Sequence, residues 1–282
     1  MIFFIILIAL FIDKVIWDFS PYREYPIFSR YSDLFHRQFK IKNPYVLVAT
    51  MLLPFILIVV AIQIILFPIF GSIIESIISC ILLIFCLGPS ELGRDINNYI
   101  SAHDSNDKQS IENIAHKFSD VIYSENYDKA VIDGIFWNIC QRLIAPIFWF
   151  LIVGIAGAVI YRFIQIIFKE EERFDENTTT YNLLAKIFFI FNWMPVRITL
   201  SGYAAIGNFD SVMDSWKNHD QKNIKTDLPD ENLLLINAGY ASLSTTEENR
   251  DTTPLNDAKA LIWRNLTLWI IFVGIMSLFL AL

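Results

Sequence analysis

The sequence predicts an all-α, polytopic membrane protein with four to five transmembrane helices and amphipathic cytoplasmic helices. Three observations carry this. Hydrophobic residues make up 55% of the 282, and only 18% are charged, against about a quarter in soluble domains. The mean hydropathy is +0.46. The charges are also clumped, so several runs of bilayer length carry almost none. The net charge of −7, with no basic patch interleaved with aromatics, argues against nucleic acid as a partner. The surrounding partner is membrane lipid.

Residues 1–43 read as a short membrane helix followed by a basic cytoplasmic segment. Met1 to Ile12 is apolar but lacks the basic flank and small-residue cleavage site of a signal peptide, so a retained helix is expected. Pro21 and Pro26 interrupt the polar stretch that follows, and Ser32 to Phe39 has the pattern of an amphipathic helix lying on the membrane. Arg30, Arg37, Lys40 and Lys42 place this side in the cytoplasm by the positive-inside rule. Residues 44–87 then form a transmembrane hairpin: an uncharged run to Phe67 with a kink at Pro54, a turn over Pro68 to Gly71, and a return to Leu87.

Residues 88–133 are a hydrophilic, acidic cytoplasmic insert. Leu92, Ile96 and Ile100, and again Ile111, Ile114, Ala115 and Phe118, fall at helical spacing. Asp107 to Ser110 has the composition of a helix start. Glu91, Asp95, Asp104 and Asp107 have the chemistry to hold Mg²⁺, but the plainer reading is a solvated acidic face. No metal site is expected.

Residues 134–206 form the membrane core. Asn138, Gln141 and Arg142 interrupt its first apolar run, Arg162 its second, and Asn192 and Arg197 its third. Polar side chains at membrane depth cost a few kcal/mol each, by estimates of about 2.5–3.5 for the charged ones, and usually serve a function. A helix is expected to end near Ile144, with a spanning helix from Pro146 to Ile167. Gly154, Gly157 and Ala158 would give that helix a small face for close approach of another helix, within the chain or in a second copy. Pro195 should break the last helix, with Asn192 and Arg197 on either side. The binding candidates are therefore Asn138, Gln141, Arg142, Asn192 and Arg197. Arginines beside amides suit an anionic small molecule. The competing reading has the arginines snorkelling to headgroups, the expectation for Arg162.

Residues 207–259 are acidic and cytoplasmic, with an apolar island over Leu233 to Ala241 that should dock on the membrane core. Residues 260–282 form the C-terminal transmembrane helix, flanked by Lys259 and Arg264. No phosphate loop and no dinucleotide fingerprint is present. Cys80, Cys86 and Cys140 form no CxxC pair, and His36, His103, His116 and His219 are scattered. No catalytic group and no cofactor can be named from spacing alone.

The order of short motifs in the core resembles the AmpE family: Trp137-Asn138, then Ala145-Pro146-Ile147-Phe148-Trp149, Gly154, Tyr161-Arg162, and Asn192-Trp193-Met194-Pro195-Val196-Arg197. The likeness extends to Asn43-Pro44, Ala238-Gly239-Tyr240-Ala241-Ser242-Leu243, and Ala258, Leu261, Arg264 and Trp269. It implies a multi-pass protein of the bacterial inner membrane that acts as a signalling modulator of cell-wall stress and beta-lactamase induction. That family is similar in turn to the CobD/CbiB membrane proteins of cobalamin biosynthesis. These join an aminopropanol or its phosphate to the carboxyl of adenosylcobyric acid. The alternative implied is therefore a membrane enzyme forming an amide bond. Trp137-Asn138 stands where those enzymes have Glu-Asn, and Phe163-Ile164-Gln165 follows Tyr161-Arg162 where they have Asn-Thr-Leu-Asp. These losses argue against the same ligase reaction and the same use of Mg²⁺. A transporter-like module working at the Pro195 break is the third reading.

Overall fold

The structure, a computed structural model, describes residues 2–15, 43–61, 63–64, 67–88, 92–118, 126–174, 179–223, 230–244 and 254–279. The amphipathic helix expected over Ser32 to Phe39 lies outside them. Among the described residues all regular structure is helical, as the composition predicts. Among these residues four helices are long and apolar enough to cross a membrane: Pro44–Ala61, Tyr127–Val153, Thr179–Ile206 and Leu255–Phe279. The chain folds as two compact units, residues 1–89 with 145–192, and residues 90–144 with 193–282. Residues 134–206, read as one core, contribute to both.

The first unit contains α1 (Ile2–Val15), α2 (Pro44–Ala61), α3 (Phe67–Cys86, kinked at Gly71), α7 (Ala145–Val153), α8 (Ile155–Phe174) and the first half of α9 (Thr179–Ile206). Helix α8 is the centre: α2, α3 and α7 all pack on it. Leu47, Val48 and Met51 of α2 meet Ile167 and Leu184 in one apolar cluster. Ala145, Tyr161, Ile164 and Phe188 form another.

The helix expected from Pro146 to Ile167 is two helices. Gly154 takes φ 76°, a left-handed conformation that ends α7 and that only glycine adopts without strain. The chain then turns so sharply that Gly157 lies against the Trp149 carbonyl and the Val153 side chain. The small residues do permit close approach, and the neighbour is the preceding helix of the same chain. Arg162, expected at the headgroups, is buried within α8 and donates to Gln165.

The break expected at Pro195 does not occur either, because α9 runs through it. A proline lacks the N–H that would bond the carbonyl four residues back, here that of Phe191. That carbonyl accepts instead from the Trp149 indole N–H at 3.0 Å. At membrane depth a freed carbonyl needs such a donor, and with it supplied the helix stays whole. The transporter reading loses its structural basis. Beside this bond, the Tyr161 hydroxyl donates to Asn192 Oδ1 at 2.9 Å, and Asn192 Nδ2 donates back to the Phe188 carbonyl at 3.1 Å. The Trp, Tyr and Asn of the core motifs thus hold α7, α8 and α9 together inside the first unit.

The second unit contains α4 (Leu92–Asp104), α5 (Lys108–Phe118), α6 (Tyr127–Ile139), a π-helical segment (Cys140–Ile144), the second half of α9, α10 (Phe209–Asn223), α11 (Glu231–Ser242) and α12 (Leu255–Phe279). Helices α4 and α5 are the amphipathic pair the spacing predicts. Leu92, Ile96 and Tyr99 bury one face of α4, and Ala115 and Phe118 that of α5. Asp107 starts α5 by accepting from the Ser110 backbone N–H at 3.2 Å and its hydroxyl at 2.6 Å. The apolar island over Leu233 to Ala241 is α11, packed on α6 and α10. Tyr203 of α9 and Tyr240 of α11 both stand edge-on to the Phe136 ring. Tyr203 donates to the Phe136 carbonyl at 2.7 Å, and Tyr240 to Asp133 at 2.8 Å.

The bond to Phe191 is testable. Trp149→Phe should keep the ring packing but strand a carbonyl, at a cost of about 1–3 kcal/mol, read as a lower melting temperature in detergent. In a Pro195→Ala background the helix supplies its own N–H. The same Trp149→Phe change should there cost less than half as much. Equal losses in both backgrounds would show that the indole bond does not compensate for the proline.

Candidate functional site

Four of the five binding candidates lie in the second unit: Asn138 on α6, Gln141 and Arg142 on the π-helical segment, and Arg197 on α9. Asn192 belongs to the first unit, with the partners given above.

Arg142 sits in the π-helical segment, where all five residues are buried. Pro146 follows four residues later and cannot bond the Arg142 carbonyl. A wider π turn ahead of a proline also re-aims its side chains, a frequent device at functional positions. Arg142 is 5% exposed, and all three of its guanidinium nitrogens are engaged. Nε donates to Asn138 Oδ1 at 2.8 Å, one terminal nitrogen to Asp95 Oδ2 at 3.1 Å, and the other to the Lys117 carbonyl at 3.1 Å. The Phe118 ring lies 5.8 Å from its centre. Asn138 is fixed in turn by donating to the Gly134 carbonyl at 2.8 Å and the Phe118 carbonyl at 3.4 Å.

Asp95 therefore does not belong to a solvated acidic face. It is 4% exposed, and Lys117 Nζ stands 3.9 Å from its other oxygen. The sequence could not show this, because an acid on an amphipathic helix looks solvated until its partner is known. The partner lies in an apolar run of another element.

The second polar group centres on the start of α11. Asp230 caps the helix, accepting from the backbone N–H of Asn232 and of Leu233, each at 3.0 Å. Arg197 of α9 pairs with Glu231. Gln141 donates to Asn232 Oδ1 at 3.1 Å. The Trp193 ring lies 5.0 Å from the Arg197 guanidinium, within cation–π range. Cys140 is the neighbouring buried thiol, hydrogen-bonded with Thr199 and near the Glu231 charge. Glu231 and Asn232 carry no motif of their own, and their only sequence signal is the Asp-Glu-Asn start of the apolar island.

The two arginines differ. Arg142 spends its three nitrogens inside the protein. Arg197 uses one nitrogen, on Glu231 and at 3.5 Å on the Trp193 carbonyl. Its Nε and second terminal nitrogen have no hydrogen-bond partner among the described residues. Its side chain is 15% exposed and Glu231's 8%. A guanidinium fork with unspent donors at a partly open rim is what binding a carboxylate or phosphate requires.

Arg142 should accordingly behave as a structural charge. Removing one member of a buried pair costs about 3–5 kcal/mol, whereas replacing both with apolar residues is often close to neutral. Arg142→Met and Asp95→Leu should each unfold the second unit at lower temperature, and the double variant should recover most of the loss. Additive losses in the double-mutant cycle would mean that the two charges are not coupled.

Comparison with known proteins bears on the same segment. Residues 6–227 match the family model described as CobD/Cbib protein, a stretch that includes every motif of the core and ends before α11. No curated protein and no solved structure matches the chain. The match bears on the CobD/CbiB relationship and gives no support to the AmpE likeness. With four helices fit to cross a bilayer and a family model covering most of its length, the chain is a multi-pass membrane protein that belongs to the CobD/CbiB family.

Proposed function

We propose that this chain is a bacterial inner-membrane enzyme that joins an amine to a carboxylic acid. Family membership supports this reading better than it supports signalling. The observation that carries it is Arg197, with two guanidinium nitrogens unspent, paired with Glu231 and flanked by Gln141 and Asn232. Arginine takes the anionic group of one reactant and the acid offers a counter-charge to the other. A free carboxylate and an ammonium do not condense spontaneously in water. A nucleoside triphosphate would therefore activate the carboxylate as an acyl phosphate, and the amine would expel phosphate from it. Gln141, Asn232 and the Trp193 face supply neutral contacts around the charges. Asn138 and Arg142, first candidates for the same pocket, act in this reading as the frame that supports it, and Asn192 serves the first unit.

A second reading, an AmpE-like modulator of beta-lactamase induction, draws on one observation. Trp137-Asn138 stands where the cobalamin enzymes have Glu-Asn, and Phe163-Ile164-Gln165 begins the stretch after Arg162 where they have Asn-Thr-Leu-Asp. A chain without that chemistry could keep the frame and bind its anion as a signal.

The test uses the full chain in lipid nanodiscs, with ATP, adenosylcobyric acid and 1-amino-2-propanol or its phosphate. An ATP-dependent amide product by mass spectrometry is expected, and Arg197→Gln should lower kcat/KM by about 10²-fold or more. No product from the wild type, together with altered inducible beta-lactamase in a deletion strain, would favour the modulator.

A further inference from the structure

We infer that α12 carries a groove that holds one anionic phospholipid, with Arg264 on its phosphate and Leu268 and Ile271 on an acyl chain. Arg264 is the member of the closing motif that the fold leaves unused. Ala258 and Leu261 of that run are buried, and the Trp269 indole N–H is buried where α12 passes Gly202 of α9. Arg264 is turned away from that face. It is exposed and has no hydrogen bond or ion pair among the described residues. It stands at a groove of about 490 Å³ lined by Trp263, Arg264, Thr267, Leu268 and Ile271.

Helical spacing builds the groove. Arg264, Thr267, Leu268 and Ile271 stand at i, i+3, i+4 and i+7, one above another on a single face. Thr267 is the smallest of the lining side chains and lowers the helix surface between its neighbours. Its hydroxyl donates to the Trp263 carbonyl at 2.7 Å, so that donor is already spent. Polarity changes along the row. Asn256, Asp257 and Lys259 lie on the N-terminal side of Arg264, and on the other side α12 carries no charge as far as Phe279. An arginine at such a boundary stands at headgroup depth, and the residues one and two turns further stand in hydrocarbon. A molecule with a negative head and an alkyl chain matches both halves. A free anion would leave the apolar half uncovered, and a wholly apolar partner would desolvate the guanidinium with no counter-charge. The nearest acid along α12, Asp257, is seven residues back, roughly 10 Å along the axis, so the charge of Arg264 is left for a ligand. The positive-inside reading puts this end of α12 in the cytoplasmic leaflet, where anionic lipids attract basic side chains.

Two probes with the same chains and different heads isolate the charge: dioleoyl phosphatidylglycerol and dioleoyl phosphatidylcholine. Each is titrated into the full chain in detergent, and bound lipids are counted by native mass spectrometry. The wild type should bind its first phosphatidylglycerol about fivefold more tightly, the scale of one basic side chain at a charged membrane surface. Arg264→Gln should bring that ratio close to one, and Arg264→Lys should keep most of it. Lys217→Gln removes an equal charge from the exposed side of α10 and should leave the ratio unchanged. Thr267→Phe fills the groove with every charge in place. It should weaken the first lipid of either kind several-fold while keeping the ratio, and it tests the groove even where Arg264→Gln does not fold. A wild type that does not distinguish the lipids overturns the inference, as does a folded Arg264→Gln that keeps the preference. An equal loss in Lys217→Gln reduces the effect to overall charge and overturns the site. Unchanged binding in Thr267→Phe leaves an arginine at the headgroups with no groove behind it. A lipid-free dimer that Thr267→Phe separates gives the groove to a second copy of the chain, and the lipid is then ruled out.

Discussion

The second unit depends on neutralising one guanidinium. Arg142 lies in the middle of an apolar stretch that could otherwise cross a bilayer without interruption, and its charge must be matched where water is scarce. Its acceptors come from three helices: Asp95 on α4, the Lys117 carbonyl at the end of α5, and Asn138 on α6. A hydrophilic insert that reads as an accessory domain is thereby built into the unit, because one of its acids is needed inside. The bonds are arranged so that each nitrogen has one partner, which fixes the direction of the side chain as well as its charge. The π-helical segment around Arg142 follows from the same demand and from Pro146. It buries five consecutive residues and sets Gln141 toward Asn232 while Arg142 turns toward α4.

Backbone accounting is the parallel constraint in the first unit. A helix at membrane depth must satisfy each carbonyl internally or find a donor. The Trp149 indole does this for Phe191, whereas the Asn192 side chain adds a second donor at the Phe188 carbonyl. Both residues belong to motifs that invite a functional reading, and both spend their polar atoms on holding helices. In the second unit side chains likewise add bonds from one element to a carbonyl of another: Tyr203 donates to Phe136, Ser242 to Tyr203, and Asn265 to Thr199. Aromatic and amide residues in such runs are ambiguous in sequence for this reason. The chemistry that binds a ligand is also the chemistry that closes an open carbonyl.

What could be read in advance follows from this. Helix class, the amphipathic pair α4 and α5, and the start at Asp107 depend on local periodicity and on a hydroxyl three residues away, so they were legible. The break at Gly154 was not, because a glycine among small residues reads equally as a packing face. The conformation at φ 76° is what distinguishes the two. The continuity of α9 through Pro195 was hidden for the opposite reason, since its compensating donor lies on a different helix. Asp95 reads as part of a solvated acidic face, and Glu231 is only one acid among many in an acidic region. Each is defined by an arginine distant in sequence, and neither sits in a pattern that announces a partner.

Two arginine–carboxylate pairs in one unit, one buried and one at a partly open rim, raise the question of which can exchange with a ligand. Opening Arg142 would break bonds to a carboxylate, an amide and a backbone carbonyl at once, and would leave Asp95 buried beside a lysine at 3.9 Å. None of its nitrogens is in reserve. Arg197 keeps two nitrogens outside its bonds to Glu231 and the Trp193 carbonyl, on a side chain 15% exposed. The cost of bringing an ion into a poorly solvated site is the usual objection to such binding. It is smaller at this rim, where part of the guanidinium already meets the surface. On this ground Arg197 is the arginine of the two that an anion can reach, and the Arg142–Asp95 pair is a structural charge.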